Sequence, residues 1–341
     1  MTSHDQKINN FFYYWLLASL FLIFLMIIVG GLTRLTNSGL SITEWELFKG
    51  IIPPIDNIQW NKYFNLYKKI PQYYLVYSNM TLAEFKVIFY WEYSHRVLGR
   101  VIGLFFLLPL IYFYFTKKIN KDYLKLCLIV LSLIILQGII GWYMVKSGLV
   151  NNVSVSHYRL SIHLIIAFFI MSLIFWLILN VKNNSYKYFF INKKENYFFY
   201  FLFIIIFMQI VIGAFVSGLD AGRVYQTWPM MNSTYFPNDV VINKAFDFFN
   251  FNNPSLVQFY HRNIGYLIVL YVSVTGLVIF KLDLRNLYKP FYYLVLFTIL
   301  QILLGICTLI SGLNIYLAST HQICSLLLIL SVVNLYYYHI N

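Results

Sequence analysis

The chain has 341 residues, of which 60% are hydrophobic and 11% are charged, whereas soluble domains carry about 25% charged residues. This composition excludes a soluble globular protein and predicts an integral membrane protein surrounded by lipid. The formal net charge of +13 does not indicate a nucleic-acid partner, because the basic residues cluster in short connections between apolar segments, where they orient membrane proteins.

Eight apolar segments are each long enough to cross the ~30 Å hydrocarbon layer as a helix. They lie near residues 11–31, 92–115, 123–145, 158–180, 197–218, 259–280, 290–311 and 316–338. The first is too long for the apolar region of a signal peptide, and no small-residue cleavage site follows it. The predicted fold class is therefore an all-α integral membrane protein with eight transmembrane helices.

The connections between spans differ in charge on the two sides of the membrane. Eleven basic residues follow spans two, four and six, whereas the short connections on the other side carry two. The eleven are Lys117, Lys118, Lys121, Lys125, Lys182, Lys187, Lys193, Lys194, Lys281, Arg285 and Lys289, and the two are Lys146 and Arg159. By the positive-inside rule, both termini are expected in the cytoplasm. The membrane itself is expected to be the bacterial inner membrane.

This orientation places the two long connections, residues 32–91 and 219–258, on the outer side. In the first, Trp60, Phe64 and Tyr67 recur at helical spacing, which predicts a short helix lying at the membrane interface. The second is rich in proline and asparagine and is expected to be irregular.

The chain contains an internal repeat. Four stretches of the first half align onto four of the second: 30–45 onto 213–228, 92–99 onto 258–265, 137–149 onto 301–313, and 161–163 onto 319–321. Each half holds four spans, so both halves have the same membrane orientation. The repeat predicts two tandem four-helix bundles, residues 1–185 and 186–341, related by a pseudo-twofold axis along the membrane normal.

Four histidines occupy matched positions in this repeat. His95, His163, His261 and His321 lie near the outer starts of spans two, four, six and eight, and an imidazole inside a membrane span is costly and usually functional. They are expected to form two facing pairs, His95 with His163 and His261 with His321, in the outer half of the membrane. His157 precedes His163 by six residues, which is ~240° around a helix, and is expected at the outer interface instead.

Two imidazoles from facing helices are a suitable pair of axial ligands for haem iron. A zinc site would require about four ligands around one ion, so two separate pairs favour two haems. Copper or zinc remains an alternative, as does a simple hydrogen bond between neighbouring helices.

The two halves differ beside the first histidine of each pair. Glu92 and His95 are three residues apart and share a helix face, whereas the second half has Gln258 in place of the acid. The difference predicts one reacting site, with Glu92 as acid, base or nucleophile, and one cofactor site. Alternatively, Glu92 pairs with Arg96. Arg96 and its counterpart Arg262 can also bind haem propionates or extend to lipid head groups.

At these residues the chain resembles the haem A synthase family, in its alphaproteobacterial and mitochondrial type, which lacks cysteine pairs in the outer loops. The stretches that carry the resemblance are residues 30–45, 84–100, 158–164, 218–231, 258–266 and 319–322. The three cysteines all lie inside apolar segments, in agreement with this subgroup.

The resemblance implies oxidation of the C8 methyl group of haem O to the formyl group of haem A, by two hydroxylations through the alcohol haem I. It implies that His261 and His321 hold a permanent haem b, that His95 and His163 address the substrate haem, and that Glu92 is the catalytic glutamate of the family. The haem O synthase, a protohaem farnesyltransferase, is a candidate partner, and the resemblance allows a homo-oligomer.

Two other functions account for four histidines. One is a dihaem b-type membrane cytochrome that only transfers electrons, and the other is a haem transporter or chaperone without chemistry. Neither function explains why the first half has Glu92 where the second half has Gln258, and neither explains the long outer connections.

Overall fold

The computed structural model describes residues 10–46, 49–150, 153–191 and 193–340. Its helices are α1 (Asn10–Leu35), α2 (Asn57–Tyr67), α3 (Pro71–Val76), α4 (Leu82–Thr116), α5 (Lys121–Gly148), α6 (His157–Lys182), α7 (Tyr197–Gly218), α8 (Pro254–Lys281), α9 (Arg285–Ile310) and α10 (Ile315–His339). All except α2 and α3 are long and apolar enough to cross a membrane. The all-α membrane fold with eight spans is confirmed.

Helix α4 begins ten residues before the span predicted at 92–115. A capping box starts it: the Thr81 hydroxyl accepts from the Glu84 backbone N–H, and the Glu84 carboxylate accepts from the Thr81 N–H. The added turns project beyond the apolar segment and carry Phe85 and Phe89. His95 therefore lies in about the fourth turn of its helix, and not in the opening turns as hydropathy alone indicated.

The helix predicted around Trp60 is confirmed as α2, but its apolar face does not lie against lipid. Trp60, Phe64 and Tyr67 are buried. The Phe64 ring stacks on Phe85 with 5.0 Å between centroids, and the Trp60 ring meets Phe89 at 5.0 Å. The first outer connection is thus folded onto the N-terminal extension of α4. Phe85 and Phe89 give that extension an apolar surface, although both residues were predicted to lie in the connection itself.

Helices α6 and α7 bury the largest share of their residues, whereas α5 and α9 are the most exposed. α6 contacts α1, α7 and α10, and α10 also contacts α1. The first and last spans of each half therefore form the centre of the bundle. A twofold relation between residues 1–185 and 186–341 would produce this layout, and the relation and the boundary stay predictions.

Two side chains join the halves across this centre. The Gln322 amide on α10 donates to the Ile27 carbonyl on α1 at 3.0 Å. Arg34 at the end of α1 donates to the Ser217 carbonyl at 2.5 Å and lies 3.3 Å from the Asp220 carboxylate. A Cβ at Gly31 would overlap the end of the Gln322 side chain, so a larger residue there would displace the amide that donates to Ile27.

His157 is buried between the halves at the first residue of α6, and its position at the outer interface stays a prediction. Its side chain is 8% exposed, and its ring lies 5.1 Å from that of Phe215 on α7. A Cβ at Gly218 would come within 2.6 Å of the His157 Cβ. The end of α7 packs directly on the start of α6, which covers the imidazole.

Candidate functional site

One large cavity lies inside the bundle. It has a volume of about 990 Å³ and is lined by residues of all eight spanning helices. All six predicted site residues line it: Glu92, His95, His163, His261, Arg262 and His321. The cavity brings together residues that are far apart in sequence, and their roles remain predictions.

The four histidines form two pairs of the same dimensions. The ring centroids of His95 on α4 and His163 on α6 are 6.5 Å apart, and those of His261 on α8 and His321 on α10 are also 6.5 Å apart. With metal–nitrogen bonds of ~2.0 Å, two imidazoles on opposite sides of one metal have centroids ~6.2 Å apart. Each pair therefore has the spacing of two axial ligands around a single iron. Within the described ranges, no three His, Cys, Asp or Glu side chains converge on one point.

Each histidine ring packs against a glycine of a neighbouring helix. A Cβ at Gly30 would lie 3.0 Å from the His95 ring, and one at Gly141 would lie 3.1 Å from the His163 ring. In the second half, the corresponding distances are 3.1 Å from Gly213 to His261 and 2.9 Å from Gly305 to His321. Glycine is thus the residue type that gives all four rings room in these positions.

Glutamine side chains fix the backbone beside two of these rings. Gln137 donates to the His163 carbonyl at 2.6 Å, and Gln209 donates to the His261 carbonyl at 3.0 Å. The Nδ1 atoms of His163, His261 and His321 are buried and have no hydrogen-bond partner within the described residues. A buried polar atom without a partner costs ~1–3 kcal/mol, so these imidazoles fit a group bound in the cavity better than an empty interior.

Glu92 is 2% exposed and fully hydrogen-bonded. One carboxylate oxygen accepts from Arg96 Nε at 3.0 Å and from its Nη2 at 2.5 Å, and the other accepts from Ser41 Oγ at 2.7 Å and the Ile42 N–H at 2.8 Å. The pairing with Arg96, considered as an alternative from the spacing, is present. These four hydrogen bonds, two of them from the Arg96 guanidinium, occupy both carboxylate oxygens, and Glu92 lines the cavity.

The second half repeats this arrangement without the charge. The Gln258 amide donates to the Tyr225 carbonyl at 2.8 Å, and Arg262 donates to the same carbonyl at 3.1 Å. Tyr225 aligns with Ile42, whose carbonyl accepts from Arg96 at 2.8 Å. Among the residues that the structure describes, Arg262 has no carboxylate partner within ion-pair distance. Its positive charge is therefore not neutralised by a carboxylate among these residues.

The second outer connection is irregular, as predicted, and one carboxylate fastens it to α8. Asp239 accepts from the Tyr225 hydroxyl at 2.5 Å and from the Ser255 hydroxyl at 2.7 Å. Burial alone would raise the pKa of Asp239, but the hydrogen bonds from Tyr225 and Ser255 outweigh it and lower the pKa. The ionised carboxylate holds Tyr225, and with it the carbonyl that Gln258 and Arg262 share.

The packing of glycines against the histidine rings, and the glutamine hydrogen bonds beside them, were not predicted from the sequence. The repeat alignment already contained a signal, because Gly30 aligns with Gly213 and Gly141 with Gly305. It could not show that a histidine ring lies against each one, since those contacts join different helices.

The chain is similar to known proteins over most of its length. A family model described as cytochrome oxidase assembly protein, COX15-CtaA, matches residues 13–333. A haem A synthase of Pelagibacter ubique is 48% identical, with 96% of each chain covered. The haem A synthases of Rickettsia felis and Flavobacterium psychrophilum are 39% and 36% identical, each over 95% of this chain and 96% of the relative.

Proposed function

Because the chain belongs to the cytochrome oxidase assembly family that contains the haem A synthases, we propose that it is a membrane oxidoreductase that converts haem O into haem A. The observation that carries this proposal is the cavity with two equal imidazole pairs, of which only one has a carboxylate beside it. An electron-transfer cytochrome would not require that difference.

The proposed reaction has two hydroxylations and a dehydration. In each hydroxylation, a C–H bond of the C8 methyl carbon is replaced by a C–OH bond with the oxygen of water, two electrons pass to an external electron acceptor, and two protons are released. The first hydroxylation gives the alcohol haem I. The second gives a hydrate of the same carbon, which loses water to leave the formyl group.

The first half is proposed to bind the substrate. His95 and His163 would hold the iron of haem O, and Glu92 would accept a proton from the substrate. Arg96 pairs with Glu92 and donates to the carbonyl of Ile42, so it ties the loop after α1 to α4. The site is proposed to lie toward the outer side of a bacterial inner membrane, with both termini in the cytoplasm.

The second half is proposed to hold the cofactor. His261 and His321 would hold a haem b, and Arg262, which lines the same cavity and has no carboxylate partner in the described part of the chain, would pair with a propionate. When bound, haem b supplies one-electron redox chemistry. The boundary between the halves is placed near residue 185, in the connection that joins α6 to α7.

We expect Gly305→Ala to weaken haem b binding. The added Cβ would lie 2.9 Å from the His321 ring and would displace it. Displacing a ligand ring should lower haem b affinity by about tenfold, as loss of ligand orientation does at metal sites. The measurement is the haem b absorbance per mole of purified protein. Gly265→Ala is the control, because its Cβ would have no neighbour closer than 3.7 Å. Equal haem b in both variants would contradict the packing argument.

The proposed function is tested by extracting the haems of cells that express the chain together with a haem O synthase. We expect haem I and haem A to appear and haem O to decrease. If haem O persists while b-type haem is bound, the chain is an electron-transfer cytochrome and the proposal is wrong. Co-purification of the two proteins would test the partner separately.

A further inference from the structure

The two halves of the cavity differ in size at one position of the repeat. Gly138 on α5 aligns with Ile302 on α9, and both residues line the cavity. At Gly138, no heavy atom lies within 4 Å of the point where a Cβ would be. The first half therefore has open space where the second has a branched side chain. Nearby on α4, Gly103 has equally open surroundings but is not part of the cavity lining, whereas its counterpart Val269 on α8 is.

The cavity also extends further around α5 than around α9. Ile135 and Ile139 line it, although their side chains are 57% and 55% exposed. Their counterparts Ile299 and Leu303 are described residues that do not line it. In the first half, the cavity thus continues past Gly138 to the outward face of α5, which in a membrane faces lipid.

This opening is continuous with the first histidine pair. Gly138 precedes Gly141 by three residues, ~4.5 Å along a helix, and Gly141 packs on His163. Gly103 follows His95 by eight residues, ~12 Å along α4. Because α4 and α5 run in opposite directions, both glycines lie on the same side of the histidine pair, toward the middle of the spans. The surrounding side chains there are apolar.

Unpartnered polar atoms independently mark the adjoining space as ligand-binding. The His163 Nδ1 is buried and has no hydrogen-bond partner within the described residues, and neither has Gln137 Oε1. Gln137 lies next to Gly138 and lines the same cavity. A ligand that reaches these atoms would lie directly beside the opening along α5.

We propose that this opening, bordered by Ile135, Gly138 and Ile139, receives the isoprenoid tail of haem O. The inference rests on the proposed function, in which haem O binds between His95 and His163. A farnesyl-derived chain is apolar throughout most of its length, so it is more stable in lipid than in water. The opening lets it extend into lipid. In the second half, Val269 and Ile302 fill the equivalent path, so that half accepts a haem without a tail.

The test compares binding of haem O and protohaem to purified protein in lipid nanodiscs, with haem b already bound in the second half. Gly138→Ile copies the residue of the second half, and Gly138→Ala is the matched control, which adds one methyl group in open space. The readout is the absorbance change on titration, so no turnover is needed. Haem b content reports whether each variant is folded.

In the unmodified protein, we expect haem O to bind at least as tightly as protohaem. Gly138→Ile should weaken haem O binding by about tenfold or more, the effect of a few misplaced apolar groups in a binding site, and should leave protohaem binding unchanged. Gly138→Ala should behave as the unmodified protein does.

Unchanged haem O binding by Gly138→Ile would overturn the proposal and would leave a lipid acyl chain as the occupant of the opening. Equal weakening of haem O and protohaem would overturn it as well, because the effect would then not depend on the tail. Failure of the proposed function appears elsewhere, as missing haem A in the cell extracts, whatever the titrations show.

Discussion

Replacing His261 or His321 by alanine is expected to remove most of the bound haem b. The rings face each other at the distance of two axial ligands, and Arg262 provides the nearby positive charge. Loss of a supporting hydrogen bond already lowers affinity at metal sites by ~10–100-fold, and loss of a ligand should exceed that. The measurement is the reduced-minus-oxidised spectrum of the purified protein, normalised to protein concentration.

The matched controls are His95→Ala and His163→Ala, which remove the equivalent rings of the first half. They should retain the haem b spectrum but make no haem A, because they alter the substrate site. If these two variants lose haem b and the variants at 261 and 321 keep it, the halves are assigned in reverse. Loss of haem b in all four would mean that the two sites fold as one unit.

Hydropathy predicted the number and order of the spans, because a 20-residue apolar run has few alternatives in a membrane. It did not predict where α4 begins. The boundary depends on the capping box of Thr81 and Glu84 and on the aromatic residues of α2 that cover Phe85 and Phe89. Those contacts arise only when the outer connection folds back, which hydropathy does not describe.

The candidate site was likewise only partly predictable from the sequence. Repeat alignment predicted both histidine pairs, since each pair is built from equivalent positions. The partners of Glu92 were only partly predictable. Arg96 is four residues away on the same helix, whereas Ser41 and Ile42 come from the loop after α1. The tertiary contacts show which groups hold the carboxylate, and its role as acid, base or nucleophile stays a prediction.

Glu92→Gln is expected to stop haem A formation while leaving haem b in place. The glutamine keeps the shape of the side chain but cannot accept a proton near the substrate, and general acid–base groups contribute ~10²–10⁴-fold to rates. The substitution copies Gln258, and the second half holds its own loop with an amide at that position. We therefore expect the variant to fold, to bind haem O and to accumulate it unoxidised. Haem extraction and the haem b spectrum measure these outcomes together.

The competing explanation is that Glu92 serves only to hold Arg96 and the loop. Removing one partner of a buried ion pair costs ~3–5 kcal/mol, so structural damage must be measured separately. Ser41→Ala provides that control, because it removes one hydrogen bond from Glu92 and leaves the charge. If Ser41→Ala reduces haem A as severely as Glu92→Gln does, the loop and not the carboxylate is what the reaction needs. If Glu92→Gln makes haem A at the original rate, Glu92 has no part in the chemistry, and the difference between the halves must lie in the space around each haem.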